Sequence, residues 1–171
     1  YQRAYHHGQV PDAYKTSPLA DDHEFDSNPL WAIEYDLSAH HTVVLDLTQT
    51  REQLWQGVRK SFHSIIHRGE ERYHIQNSCS IMPFRVVHHE VFGNVRSEET
   101  FKIQADWIQN KMAMAVDASY STAEGTNCLV AAALWILYEG CAYYASGPAL
   151  EGNIQHAVIW RSIELLKEKG V

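Results

Sequence analysis

No two cysteines in this chain are spaced as CxxC, and there are only three, Cys79, Cys128 and Cys141. An odd, scattered set is no disulfide framework; it reads as buried thiols in a reducing compartment. Positive charge is also short. Fourteen Lys and Arg stand against twenty-one Asp and Glu, a formal charge of -7, which disfavours broad binding to a phosphate backbone. The longest apolar run, Cys128 to Tyr138, has eleven residues and is too short to span a bilayer. No signal-peptide pattern opens the chain, so a cytoplasmic protein without a membrane span is expected. Internal repeats and low-complexity segments are missing as well. What is present is ordinary for a globular protein: 171 residues, 45% hydrophobic and 20% charged, enough for one domain with its own core. The chain starts at Tyr1 without Met and stops at Gly170-Val171, which reads as a piece of a longer protein.

Residues 1–41 are read as an arm with an irregular segment. Tyr1 to Asn28 are polar, contain Pro11 and Pro18 and keep no period, and Trp31, Ile33 and Tyr35 alternate only weakly. Residues 42–171 form the expected domain. Thr42 to Leu47 predicts a first core strand. Thr50 and Gln53 have capping-box spacing, and a helix of about five turns follows, with Leu54, Trp55, Val58, Phe62, Ile65 and Ile66 on one face and Gly69 as its terminator. Tyr73 and Ile75 permit a short strand. Pro83, Phe84, Val87 and Val91 predict a short helix ending before Gly93, and Ser97 caps another from Glu98 to about Asn110. Met112 to Asp117 is strand-like, and a turn centred on Glu124-Gly125 follows.

Asn127 to Val171 carries most of the functional information. Cys128 to Tyr138 and Cys141 to Ser146 read as a hairpin closed by Glu139-Gly140. Gly147, Pro148 and Gly152 then break the strand pattern before a helix begins near Asn153. A strand, a loop and a helix start in that order aim backbone N–H groups at a ligand.

The order of strand, helices, three-strand meander and helix resembles the GNAT N-acyltransferase fold, over Thr42 to Val171. Three segments are similar to its Fem-type branch, the GNAT-like acyltransferases and peptidoglycan aminoacyltransferases. They are Leu45-Asp46-Leu47 with Leu54-Trp55 and Arg59-Lys60-Ser61…Ile65-Ile66-His67-Arg68-Gly69; His89-x-x-x-Gly93-x-x-Arg96-Ser97-x-x-Thr100; and Tyr143-Tyr144-x-Ser146-Gly147 followed by His156 to Trp160, Ile163 and Lys167-x-Lys169-Gly170. Two departures stand out. Asn94 replaces the basic residue that follows the family's glycine, and Gly147 to Asn153 lacks the Gln/Arg-x-x-Gly-x-Gly/Ala loop that cradles the coenzyme A pyrophosphate. The resemblance implies an α/β (α+β) fold with a mixed, mostly antiparallel sheet flanked by helices and lacking its last strands.

It also implies attack of an amine on an activated acyl carbonyl, with acyl-CoA or aminoacyl-tRNA as donor and a sugar nucleotide or cell-wall precursor as the small-molecule amine acceptor. Such a reaction needs a base, an oxyanion donor and tight positioning. Tyr144 is the candidate proton donor to the leaving group, and His156, in the first turn of the last helix, the candidate base. Ser146, Gly147 and Asn153 are placed at the donor; His89, Arg96 and Trp107 at the acceptor. Each has a plainer reading: Tyr143 and Tyr144 alternate between core and surface, His156 caps or packs, Arg96 pairs with Glu98 or Glu99, and Trp107 is core. The eleven histidines raise a metal question, with His63 and His67 at i, i+4, but no third ligand follows and no metal is expected. Arg51, Arg59, Lys60, Arg68 and Arg72 are read as a solvated helix face or a contact for tRNA or a nucleotide. A homo-oligomer remains open. The alternatives to an enzyme are a non-catalytic GNAT-like scaffold half and a small-molecule-binding module.

Overall fold

A computed structural model describes residues 43–171. Asp46–Val171 form a compact unit, and the account below concerns it. The expectations for Trp31, Ile33, Tyr35 and the arm lie outside the described residues.

The elements are α1 (Arg51–Gly57), α2 (Lys60–Arg72), β1 (His74–Ser78), α3 (Met82–Phe92), α4 (Glu98–Gln109), β2 (Ala113–Ser121), β3 (Asn127–Tyr138), β4 (Cys141–Ser146) and α5 (Ile154–Glu168). The four strands form an antiparallel sheet in the order β1-β2-β3-β4. The expected first strand is absent: Val43 to Leu47 form no strand, because the Asp46 carboxylate accepts both the backbone N–H (2.9 Å) and the hydroxyl (2.7 Å) of Thr48 and turns the chain. Among the described residues the first strand of the sheet is β1, after α1 and α2.

The capping box forms as its spacing predicts. Gln53 N–H donates to Thr50 Oγ1 (3.2 Å), and Thr50 N–H donates to Gln53 Oε1 (2.8 Å). The single long helix does not form. At Val58 the backbone turns extended (φ -69°, ψ 131°), and His63 Nε2 donates to the Val58 carbonyl (3.0 Å) that the break frees. Trp55 thereby folds back on His63, ring centroids 4.3 Å apart, and meets the Trp160 ring edge-on at 4.8 Å.

Gly69 does not terminate α2; it lies buried inside it. A Cβ there would sit 2.5 Å from the Ala157 Cβ of α5, so the absence of a side chain is what lets the two helices approach.

An unbroken apolar strand is one covered on both faces, and β2 and β3 show why. Met114, Val116, Ala118, Ala131, Ala133 and Trp135 pack under α5 with Ile154, Ala157, Val158 and Leu166. Ala113, Ala115, Ala132 and Leu134 pack under α3 and α4 with Phe84, Val87 and Phe101. Ala131 to Ala133 are fully buried, and their small side chains hold both helical layers close. The thiols are not the buried set expected: Cys79 and Cys141 are exposed and Cys128 is half-buried, since Cys79 follows edge strand β1 and Cys141 opens edge strand β4.

One carboxyl is enclosed in the sheet. Asp117 of β2 is 2% exposed; Gln76 Nε2 of β1 donates to its Oδ2 (3.3 Å), while Oδ1 has no partner among the described residues. Burial raises its pKa above the ordinary carboxyl value, opposed in part by the hydrogen bond from Gln76.

Two predictions follow from this packing. Gly69→Ala should cost about 1–3 kcal/mol by overpacking, more than the roughly 1 kcal/mol of helix propensity it gains, and lower Tm by several degrees in thermal denaturation. Gly57→Ala, with nothing within 4 Å of the added carbon, should leave Tm unchanged or raise it. For Asp117, a raised folded-state pKa means that its contribution is complete below the unfolded value of 3.8 and is lost as pH rises through the folded value. Asp117→Asn should therefore gain Tm over the wild type as pH rises above the unfolded value of 3.8, and a difference that stays flat from that pH upward would contradict it.

Candidate functional site

The site is built where β4 leaves the sheet. Trp135 pairs with Tyr144, but Leu134 pairs with Ser146, so Ala145 is an extra residue, a β-bulge. Beyond it Ala132 N–H donates to Pro148 O (2.9 Å) and Leu150 N–H to Val130 O (2.8 Å), so the chain rejoins β3 after the interruption. The bulge also resets the alternation of faces. Tyr144 lies with Trp135 on the α5 side, and Ser146 with Leu134 on the α3–α4 side.

Tyr144 is held on three sides. Its ring lies 5.0 Å from that of Trp135, and its hydroxyl accepts a hydrogen bond from Gln155 Nε2 (2.9 Å) in the first turn of α5. Its hydroxyl also lies directly over Gly147, where a Cβ would collide with both Tyr144 Oη and Gln155 Nε2. Burial pushes the phenol above its ordinary pKa, and the N–H from Gln155 opposes this in part. The hydroxyl is thus protonated at neutral pH and keeps its own hydrogen to donate.

The loop from Gly147 to Asn153 is tied down at Glu151. Tyr73 donates to Glu151 Oε2, which also lies 3.6 Å from Arg72 Nη1, and the Arg72 guanidinium sits over the Tyr73 ring at 5.0 Å. Burial, then the bond to Glu151, pushes the Tyr73 hydroxyl up to about 12. At the start of α5, Asn153 makes no side-chain cap, and the Ile154 N–H donates to the Glu151 carbonyl oxygen (3.3 Å).

The other predicted residues fall elsewhere. His156 is one residue from Gln155 but faces α2, stacked on Phe62 with ring centroids 4.3 Å apart. His89, near the end of α3, is exposed, and the Arg96 guanidinium lies over the Phe84 ring at 5.6 Å. Phe84 belongs to the α3–α4 core, so Arg96 lies on the face of the sheet opposite Tyr144. Trp107 lies at the β3–β4 turn end, half-buried against the α3–α4 core. Structure thus brings together Tyr144, Gly147 and the start of α5, and adds two residues the sequence reading passed over, Trp135 and Gln155. Their only signals were a tryptophan within a core strand and an amide in the first turn of a helix. Among the described residues no three His, Cys, Asp or Glu side chains are grouped to hold a metal. No helix among them is long and apolar enough to cross a membrane.

A strand, two helices, three antiparallel strands and a helix define a GNAT-like fold, here β1-α3-α4-β2-β3-β4-α5 with α1 and α2 added in front. The crystal structure of FemX has this fold: it superposes with a TM-score of 0.58 at 8% identity, over 73% of this chain. The chain spans about half, 49%, of the FemX chain. No family model and no curated protein matches the sequence.

Gly147→Ala should force Tyr144 off its seat at a cost of about 1 kcal/mol. Tyrosine exposure, read by ultraviolet difference spectroscopy against Tyr144→Phe, should rise; an unchanged spectrum would mean that the hydroxyl is not seated on Gly147.

Proposed function

We propose that the chain is a GNAT-like acyltransferase domain of the Fem type, moving an acyl or aminoacyl group onto the amine of a sugar nucleotide or cell-wall precursor in the cytoplasm. The observation that carries this reading is the Tyr144 hydroxyl, held over Gly147 beside the Ala145 bulge with its own hydrogen free to donate. The fold shared with FemX supports it. An acyl-CoA or aminoacyl-tRNA donor would lie along Ser146, Gly147 and Asn153, with its negative groups toward the uncapped start of α5. The acceptor would come from the end where His89 and Arg96 lie, and Arg96 would meet its phosphate or carboxylate.

The amine nitrogen attacks the acyl carbon, the bond from that carbon to the donor's sulfur or oxygen breaks, and the leaving atom takes a proton from Tyr144 Oη. The amine's proton passes to solvent and Tyr144 is reprotonated. His156, stacked on Phe62, has no part in this step. A second reading, a non-catalytic half, is favoured by the chain's spanning only about half of FemX.

Incubation with acetyl-CoA or alanyl-tRNA and an amino sugar nucleotide or a lipid-linked peptide, followed by mass spectrometry, should show the N-acylated product. Tyr144→Phe should lower kcat by about 100-fold with little change in KM. Absence of product with either donor, together with no heat of donor binding, would reject the enzyme and leave the scaffold.

A further inference from the structure

A cavity of about 770 Å³ opens at the end of the sheet away from Gly147, where β3 turns into β4. Its size falls within the roughly 300–1,000 Å³ of small-molecule sites. Ile108, Ala113, Met114 and Leu137 supply apolar lining, and Lys111, Lys169 and Glu139 line it as well. Two cations against one carboxylate make a local excess of positive charge in a chain of formal charge -7. Both exposed thiols, Cys79 and Cys141, line this same cavity. Backbone strain marks the place too. Among the described residues, positive φ is met by glycine at Gly93, Gly125, Gly140 and Gly170, and by residues with side chains at Lys111 (φ 59°) and Glu139 (φ 45°). Glycine or asparagine is the usual choice in such positions. Both exceptions line the cavity, and strain kept where glycine would remove it points to a use for the two charged side chains.

The two thiols cannot pair with each other. Strands β1 and β4 are opposite edges of the sheet, three strand spacings or roughly 14 Å apart, whereas a disulfide needs Cα atoms within about 7 Å. A disulfide at this end must take its second sulfur from outside the chain. Cys141 is the thiol with a cation at a known register. Leu137 N–H donates to Met112 O (2.8 Å), which brings Lys111 beside Tyr138, and Tyr138 pairs with Cys141. Lys111 and Cys141 thus stand two strand spacings, roughly 10 Å, apart at the backbone, a gap that a lysine side chain and a peptide-sized ligand bridge. We propose that the cavity captures a low-molecular-weight disulfide bearing carboxylate and ammonium groups, and that Cys141 exchanges with it to form a mixed disulfide. Lys111 and Lys169 hold the carboxylates and Glu139 the ammonium. The Cys141 thiol gives its proton to solvent, Sγ bonds to one sulfur of the disulfide, the S–S bond breaks, and the other half leaves as a thiolate that takes a proton from solvent. Cys141 is oxidised and the departing half reduced, so no further oxidant enters. The step uses nothing from the Tyr144 corner and stands apart from acyl transfer.

The chain is incubated with glutathione disulfide and, separately, with the neutral 2-hydroxyethyl disulfide. Each rate is divided by that of N-acetylcysteine amide with the same reagent, and adducts are located by peptide mass mapping. The glutathione adduct should form on Cys141 with a normalised rate about tenfold above that of the neutral disulfide. The excess should shrink as sodium chloride is raised. Lys111→Gln combined with Lys169→Gln should bring the two normalised rates together. Lys111→Gly, which relieves the positive φ and so keeps the fold, should remove part of the excess. Equal normalised rates in the wild type overturn the site, as does an adduct mainly on Cys79, a disulfide between two copies of the chain in its place, or an excess that survives loss of both lysines.

Discussion

The distance at which helices lie on the two central strands governs this structure. Ala131, Ala132 and Ala133 of β3 and Ala113, Ala115 and Ala118 of β2 are buried, so α5 on one side and α3 with α4 on the other rest close to the backbone. The tightness extends outward to a third layer, since α2 can lie against α5 only because residue 69 is glycine and residue 157 alanine. Both faces of β2 and β3 are covered, whereas β4 is largely exposed, and the polar groups around Tyr144 collect where that strand bulges.

Electrostatics at that end follow from the same burial. Tyr144 and Tyr73 are both phenols raised above their ordinary pKa by lost hydration, but their partners differ. Tyr73 gives its hydrogen to Glu151 and so fastens the loop. Tyr144 accepts from Gln155 and keeps its hydrogen. Two residues of one type, desolvated alike, are thus a tether and a free donor because one faces a carboxylate and the other an amide.

Much of the fold could be read from the chain because the signals were local. The Thr50–Gln53 capping box, the Ser97 cap, Pro83 in the first turn of α3 and the Glu139-Gly140 turn, with φ of 45° and 73°, depend on a few neighbouring residues. The errors were non-local. Val43 to Leu47 has the composition of a strand but no partner strand among the described residues, the break at Val58 is secured by His63 and Trp55, and Gly69 answers to a helix more than eighty residues away. In the site, Tyr144 and Gly147 were legible from strand, loop and helix order. Gln155 and Trp135 were not, because a glutamine near a helix start and a core tryptophan carry no message until the packing leaves their polar atoms unpaired.

The bulge at Ala145 has a further consequence, for association. Strand β4 is the outermost strand among the described residues, and it displays Tyr143 at 65% exposure. A flat, regular edge of that kind invites another chain to add a strand, and a bulged one offers no continuous ladder. Only Cys141 to Tyr144 keep regular pairing with β3 before the interruption. The irregularity that seats Tyr144 over Gly147 therefore also shortens the template on which identical chains could aggregate edge to edge.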